Sequence, residues 1–193
     1  MNWSTTRVFS LACLVLLCCD AARSKRPLTD PASAKLDPRL IGDWSSKFEG
    51  KGANLHLVGH SGGQMDLVLV VETDKEGAAV LHYQGHESVI DGATYLNLRA
   101  KRFADPLKDD FTLSPEFIFV KVELAKDGSL RLSWMSDKPV DAAIQAGKLK
   151  GSVTPNGPPT IDDEPANILA FIKSADPKTL WTPLAGVFRR VKR

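Results

Sequence analysis

Apolar and polar residues alternate along most of the chain after Ile41, and turn residues interrupt the alternation at short intervals. Successive side chains of a β-strand point to opposite faces, so this alternation predicts strands with one buried face. Strands that end in turn signals about every 8–12 residues are typical of an antiparallel sandwich or barrel. We predict strands at residues 42–49, 53–58, 65–73, 78–84, 86–91, 94–100, 116–125, 129–135 and 185–192.

Two of these segments indicate which face becomes the core. One face of the third strand carries Met65, Leu67, Leu69 and Val71. One face of the strand near Phe119 carries Ile118, Val120, Val122 and Leu124, while Lys121 and Glu123 point away from that face. Because each strand has one continuous apolar face, the sheet is expected to enclose a single core.

Two segments between the late strands change to helical spacing. The first begins at Asp137, has Pro139 in its first turn and ends at Gly147; the second runs from about Asp163 to the Asp176-Pro177 pair. Residues 153–159 between them are rich in Pro and Gly and predict a loop. The expected fold is therefore mainly β: a small antiparallel barrel of about 8–9 strands with two short helices between the late strands.

The N-terminus carries an export signal. Arg7 precedes an uncharged run from Val8 to Cys19, which is too short to span a bilayer but fits the apolar region of a signal peptide. The run ends in Leu16-Leu17-Cys18-Cys19, which resembles the lipobox of bacterial lipoproteins, where a cysteine receives diacylglycerol and becomes the mature N-terminus. Cys19 is the preferred lipid attachment site and Cys18 the second candidate; an ordinary signal peptide is the alternative.

These features divide the chain into three parts. Residues 1–19 are the predicted signal peptide with its lipobox, and residues 40–193 are the predicted barrel domain. Residues 20–39 consist mainly of Ala, Ser, Lys, Asp and Pro, a composition that cannot bury much apolar surface. We therefore expect this segment to be a flexible tether that holds the domain at the bacterial cell envelope, on the periplasmic side or the cell surface.

Charge and cysteine content argue against nucleic-acid binding and against disulfide or thiol chemistry in the domain. The net charge is +2 over 193 residues, which gives no reason to expect a nucleic-acid partner. All three cysteines lie at or before residue 19, so the folded domain has no disulfide or thiol chemistry. The sequence contains no motif that calls for a cofactor.

The start and end of the predicted domain resemble the lipocalins. Gly42-Asp43-Trp44 matches the Gly-x-Trp signal of the first lipocalin strand. In that family an arginine near the end of the last strand covers the indole ring, and here either Arg189 or Arg190 is suitably placed. The resemblance implies a lipocalin-like β-barrel with a structural floor made of Gly42, Trp44 and an arginine, for which we favour Arg189 because Val187 and Val191 share its face.

A broader resemblance extends over about residues 40–192 and is to uncharacterised bacterial envelope lipoproteins with a lipocalin-like domain. Its marks are the Gly-x-Trp opening, the run Tyr83-Gln84-Gly85-His86, the run Tyr95-Leu96-Asn97-Leu98, and the late helix around Ile168-Leu169-Ala170-Phe171-Ile172. This resemblance implies a fold and no activity.

Candidate chemistry is sparse, and we predict no enzyme. Gly59-His60-Ser61-Gly62-Gly63 matches a hydrolase nucleophile motif by letter, but the residues after it predict a strand where that motif needs a helix. The histidine pairs His56 with His60 and His82 with His86 would bind Zn²⁺ or Cu²⁺ if they converged. Surface histidines are the more common outcome, so we assign no metal site.

Two main functions remain open. A membrane-tethered lipoprotein with a hollow barrel would bind a small apolar molecule or a lipid, whereas one with a filled barrel would have no ligand and would serve as a structural or protein-interaction component. Metal binding through the histidines is the third alternative. Phe117, Phe119 and Trp134 would line a cavity in the first case and fill a core in the second.

Overall fold

The computed structural model of the chain describes residues 21–48, 51–72, 77–104, 114–155 and 157–192. The predicted signal peptide and lipobox, with both candidate acylation sites, lie outside these residues. The described part of the chain is mainly β, as the alternating pattern predicts. Its first element is the short strand β1, Arg23–Ser24, which lies outside the barrel order.

Eight strands form a closed antiparallel barrel. Each pairs with the next along the chain, and the last pairs with both β8 and β2, so no barrel strand is left with a free edge. The strands are β2 (Gly42–Phe48), β3 (Lys51–Gly59), β4 (Gln64–Glu72), β5 (Ala78–Ile90), β6 (Ala93–Ala104), β7 (Phe117–Leu124), β8 (Leu130–Met135) and β11 (Trp181–Arg190). The predicted fold class, a small lipocalin-like barrel, is confirmed.

One strand is longer than the sequence predicts. Residues 78–84 and 86–91 were expected to be two strands separated by Gly85, but they form the single strand β5. A Cβ atom at Gly85 would lie 1.8 Å from the carbonyl oxygen of Asn97 on β6. The glycine therefore permits close approach of two strands and does not end one.

The barrel interior is the larger of two hydrophobic cores. Inward-facing residues alternate with polar or half-buried ones on β3 and β4, as predicted for Met65, Leu67, Leu69 and Val71. The largest fully buried members of the interior are Trp44, Leu55, Leu57, Met65, Leu96, Leu98, Leu130, Leu132 and Phe188.

The second core lies outside the barrel, against β6, β7, β8 and β11. The segment between β8 and β11 supplies helices Asp137–Gln145, Pro165–Ser174 and Pro177–Leu180, together with the strands β9 (Gly151–Thr154) and β10 (Gly157–Ile161). The two predicted helices are confirmed, whereas the predicted loop at residues 153–159 belongs largely to the β9–β10 hairpin. The second core includes Leu28, Tyr95, Phe117, Phe119, Val140, Ile161, Ile168, Leu180 and Trp181.

Residues 21–40, which we call the strap, pack along the barrel. The strap contains β1, which pairs with β7 and β10, and a short 3₁₀ turn at Pro31–Ser33. Ala21, Ala22, Leu28 and Leu40 are all buried. The predicted flexible tether is therefore wrong for residues 21–39: long-range contacts order a segment whose composition alone predicts disorder.

The two ends of the barrel differ. At one end, here called the closed end, β2 begins and β11 finishes, and Leu36, Leu40 and Ile41 of the strap region pack on the interior core. The turns between β3 and β4, between β5 and β6, and between β7 and β8 also lie at this end. The last residue of β2 and the first of β3 lie at the other end, here called the opposite end.

Candidate functional site

Trp44 forms the floor of the barrel at the closed end. Its side chain is almost fully buried, at 1% exposure, and belongs to the interior core. The indole Nε1–H donates a hydrogen bond to the carbonyl oxygen of Leu40 at 2.9 Å. A buried indole needs such an acceptor for its one polar group, so the strap residue and the first barrel strand are fixed to each other.

The arginine that covers this indole is Arg190. Its guanidinium carbon lies 4.4 Å from the centre of the Trp44 ring. The same group donates hydrogen bonds to the carbonyl oxygen of Ile41 at 2.8 Å and to that of Arg39. One guanidinium thus combines a cation–π contact with two backbone carbonyls at the end of the barrel.

Our preference for Arg189 was wrong. Arg189 instead forms an exposed ion pair with Asp127, at 3.8 Å. Alternate residues of β11 share a face, and the buried Phe188 places Arg190 on the inward side. Val187 and Val191, which suggested the other face, are both exposed.

Gly42 completes the floor for two physical reasons. Its φ of +135° lies in a region that side-chain-bearing residues rarely adopt. A Cβ atom at this position would also lie 2.6 Å from Nη1 of Arg190. The predicted Gly-x-Trp signal and the arginine therefore act as one unit, in which the missing side chain makes room for the guanidinium.

Two surface grooves flank Arg190 at the closed end. The larger has a volume of about 1020 Å³ and is lined by both charged and apolar residues, including Val58, Asp127, Arg189 and Lys192. The smaller, of about 450 Å³, is lined by Arg39 and Lys126 among others. Both grooves are open to solvent, so this end offers concave surface outside the barrel.

The interior cavity formed by the described residues of the barrel is small. Its volume is about 60 Å³, and its walls are apolar, with Leu69, Leu98 and Leu132 among the lining residues. Trp134 lines it as well, and its indole Nε1–H meets no acceptor among the described residues. Ala21, the first described residue, also lines this cavity. Trp134 thus belongs to the interior, whereas Phe117 and Phe119 belong to the outer core.

A buried carboxylate lies where the strap crosses the closed end. Glu87 is 3% exposed and accepts a hydrogen bond from the backbone N–H of Asp37 at 2.7 Å. Burial raises the pKa of Glu87. Asp37 in turn pairs with Arg39, and hydrogen bonding by that guanidinium lowers the pKa of Asp37. These contacts hold the strap in place.

The four histidines do not converge on one point. His56 contacts Asp43 at 2.9 Å, and His60 contacts Asp66 at 2.8 Å. His86 instead lies beneath the strap, where its Nε2 is 3.1 Å from the carbonyl oxygen of Thr29. Within the described ranges, no group of three or more His, Cys, Asp or Glu side chains is arranged to hold a metal ion.

His82 is the fourth histidine, and it shares a carboxylate with His60. Its Nε2 lies 3.4 Å from Oδ1 of Asp66, whose other oxygen faces His60. Burial alone would raise the pKa of Asp66, but the two imidazoles outweigh that effect and lower it. The result is a surface network on the outward face of β3, β4 and β5.

The Gly-x-Ser-x-Gly match is a hairpin turn. Ser61–Gly63 forms a single 3₁₀ turn that joins the antiparallel strands β3 and β4. A nucleophile motif requires a strand followed by a helix in a parallel sheet, whereas here β3 is followed by the antiparallel strand β4. The strand predicted after the motif is confirmed as β4.

The closed floor and the barrel together define the class of protein: a small, eight-stranded, lipocalin-like barrel with a helical layer on one side. No protein-family model, curated protein or solved structure matches the chain. Among the helices of the described residues, none is both long and apolar enough to cross a membrane.

Proposed function

We propose that this protein is a membrane-tethered bacterial envelope lipoprotein whose barrel is filled and carries no ligand. It serves as a structural or protein-interaction component and acts through its outer surface. The observation that carries the proposal is the interior cavity of about 60 Å³. Sites for drug-sized ligands measure about 300–1,000 Å³, so the interior lacks the space that a lipid or a comparable small molecule needs.

The side chains that fill the barrel support the same proposal. Leucines from several strands meet across the interior, and Trp44 and Phe188 close it from the floor. An eight-stranded barrel is narrow enough for its own side chains to occupy the lumen. A core of this kind gives a rigid body on which outer surfaces and grooves are held in fixed positions.

The membrane tether is proposed from the sequence. The apolar run that ends at Cys19 and the resemblance to a lipobox support acylation of that cysteine. The folded part then begins immediately, because Ala21 is already buried. An acylated Cys19 would therefore attach the domain to the bilayer with almost no intervening chain.

Binding of a small apolar ligand is the second candidate, and one observation favours it. The Nε1–H of Trp134 lies against an apolar cavity without an acceptor. A buried donor without a partner costs about 1–3 kcal/mol. A small molecule with an apolar body and one acceptor atom would satisfy this donor if the cavity expanded to admit it.

Mass spectrometry of extracted lipids separates the two candidates. The Cys19→Ser variant, purified without an acyl anchor, is extracted with organic solvent after native isolation. We expect no stoichiometric lipid or other small molecule in the extract. Recovery of about one equivalent per protein would contradict the filled-barrel proposal and support the ligand carrier.

Metabolic labelling with a fatty acid tests the tether. The wild-type protein should incorporate the label, Cys18→Ser should retain it, and Cys19→Ser should lose it. Loss of label in Cys18→Ser alone would move the attachment site to Cys18. Absence of label from the wild-type protein would show that the N-terminus is an ordinary signal peptide.

A further inference from the structure

We infer that the opposite end of the barrel faces the lipid bilayer at close range, so that the closed end points away from the membrane. The inference rests on the proposed acylation of Cys19. A short anchor of this kind gives the domain one orientation at the membrane, whereas a flexible tether would allow many.

Ala21, the first described residue, lies beside the end of β8. Ala21 pairs with Ser136, the residue that follows the last residue of β8. The backbone N–H of Ala22 donates to the carbonyl oxygen of Met135 at 2.9 Å. Since β8 starts after a closed-end turn and runs away from it, Met135 and its partners lie toward the opposite end.

The pairing of β1 with β7 also places the start of the strap toward the opposite end. Ser24 of the strap pairs with Phe117, the first residue of β7, whose last residue leads into a closed-end turn. Ala21 also contributes to the interior core, which Leu40 and Trp44 seal at the closed end. The chain upstream of Ala21 therefore has its exit at the opposite end.

Chain length fixes how close the bilayer must be. Consecutive Cα atoms are about 3.8 Å apart, so the Cα atom of Cys19 lies at most about 7.6 Å from that of Ala21. A flexible tether of 20 residues would have a root-mean-square span of about 25 Å. An acylated Cys19 therefore leaves too little chain for the domain to tumble freely above the membrane.

The strap is held firmly enough to preserve this geometry. Its backbone N–H at Leu28 donates to the buried Asn97 at 2.7 Å. The ammonium group of Lys25 contacts Asp162 at 2.6 Å, and Arg26 pairs with Glu164. Peeling the strap away would break these contacts and expose the buried side chains of Ala22 and Leu28 to water, which is costly.

Lysine footprinting in vesicles tests the orientation. The full-length chain is expressed in bacteria, isolated after processing and reconstituted into vesicles of phosphatidylethanolamine and phosphatidylglycerol. Exposed lysines are then acylated with a water-soluble reagent and quantified by mass spectrometry. Lys47 and Lys101 report on the opposite end, and Lys126 and Lys192 report on the closed end.

A spacer variant provides the matched control. A flexible Gly/Ser stretch of about 20 residues is inserted between Asp20 and Ala21, which keeps the anchor but releases the domain from the surface. We expect Lys47 and Lys101 to react severalfold more slowly in the native protein than in the spacer variant. Lys126 and Lys192 should react equally in both.

The footprinting pattern tests the orientation, and retention on the vesicles tests the lipid anchor. Equal reactivity of Lys47 and Lys101 with and without the spacer, in protein that stays with the vesicles, would overturn the orientation. Selective protection of Lys126 and Lys192 would reverse it. Protein that does not stay with the vesicles would refute the lipid anchor itself.

Discussion

The outward faces of β3 and β4 and those of β6 and β7 form opposite environments on one barrel. On β3 and β4 the outward side chains are polar or half-buried, with His56, Asp66 and Val70 as examples. On β6 and β7 they include Tyr95, Asn97, Phe117 and Phe119, all of which are buried. We call the first the bare wall and the second the covered wall.

The strand β5 passes from one environment to the other, which shows that coverage is not a property of whole strands. His82 on its first half reaches the surface network at Asp66, whereas His86 on its second half is 1% exposed under the strap. A shift in the β5–β6 pairing occurs at His82 and Tyr83, between the two halves. Outward-facing residues of β5 are therefore buried where the strap covers them and stay partly exposed where it does not.

Replacing an outward aromatic residue on the covered wall should have the largest effect. Phe119→Ala is expected to lower the free energy of unfolding by about 3–5 kcal/mol, because Phe119 is fully buried in the outer core. The matched control is Val70→Ala on the bare wall, which should cost less than about 1 kcal/mol. Urea denaturation measures both, and equal losses would erase the distinction between the walls.

The polar contacts beneath the strap should have the next largest effect. Asn97→Ala leaves the buried N–H of Leu28 without its acceptor, so we expect a loss of about 1–3 kcal/mol. Asn54→Ala, on the exposed side of β3, should change stability by less than about 0.5 kcal/mol. If Asn97→Ala were as mild as its control, the strap would not depend on this contact.

The closed end offers a comparison between adjacent residues. Arg190→Ala removes the contact with Trp44 and two hydrogen bonds, for an expected loss of about 1–2 kcal/mol. Arg189→Ala should lie within about 0.5 kcal/mol of the wild type, because the contact of Arg189 with Asp127 is a long, exposed ion pair. Thermal denaturation of the pair tests the assignment, which reversed effects would overturn.

The smallest effect is a pH dependence from His86. Burial lowers the pKa of His86 in the folded protein. In the unfolded chain the His86 imidazole has its ordinary pKa of about 6.5. Because the unfolded state therefore binds this proton more readily than the folded state, the folded protein loses stability as the pH falls through that value. We expect His86→Gln to lose less stability than the wild type between about pH 7.5 and about pH 5.5, as measured by urea denaturation. Parallel losses would contradict this role for His86.

The sequence predicts the barrel well because its physical signals are local. Alternation places Met65 and Leu67 on the inward face, and glycine-rich turns mark where the strands reverse. The two helices are likewise predicted by their spacing and by Pro139 and Pro165 in their first turns. These features require only the nearest residues in the chain.

The errors arise where a distant partner decides the outcome. From the sequence, either face of β11 could be the inward one: the face with Val187, Arg189 and Val191, or the face with Phe188 and Arg190. The pairing of β11 with β2, a strand far away in the sequence, brings Arg190 to Trp44. The strap has a composition typical of disorder, yet it is ordered by contacts with residues as far along the chain as Asp162 and Glu164. A usable signal was present in the first half of β7, where the run Phe117-Ile118-Phe119-Val120 is apolar on both faces and therefore indicates a covered wall.

Native-state hydrogen exchange of the strap tests most directly whether it belongs to the folded domain. The backbone amides of Ala22, Lys25 and Leu28 donate to Met135, Ile161 and Asn97, at 2.9, 3.0 and 2.7 Å. We predict that these three amides exchange as slowly as those of the neighbouring strand β7. Exchange at the rate of an unfolded chain, while β7 stays protected, would show that residues 21–39 are a tether after all.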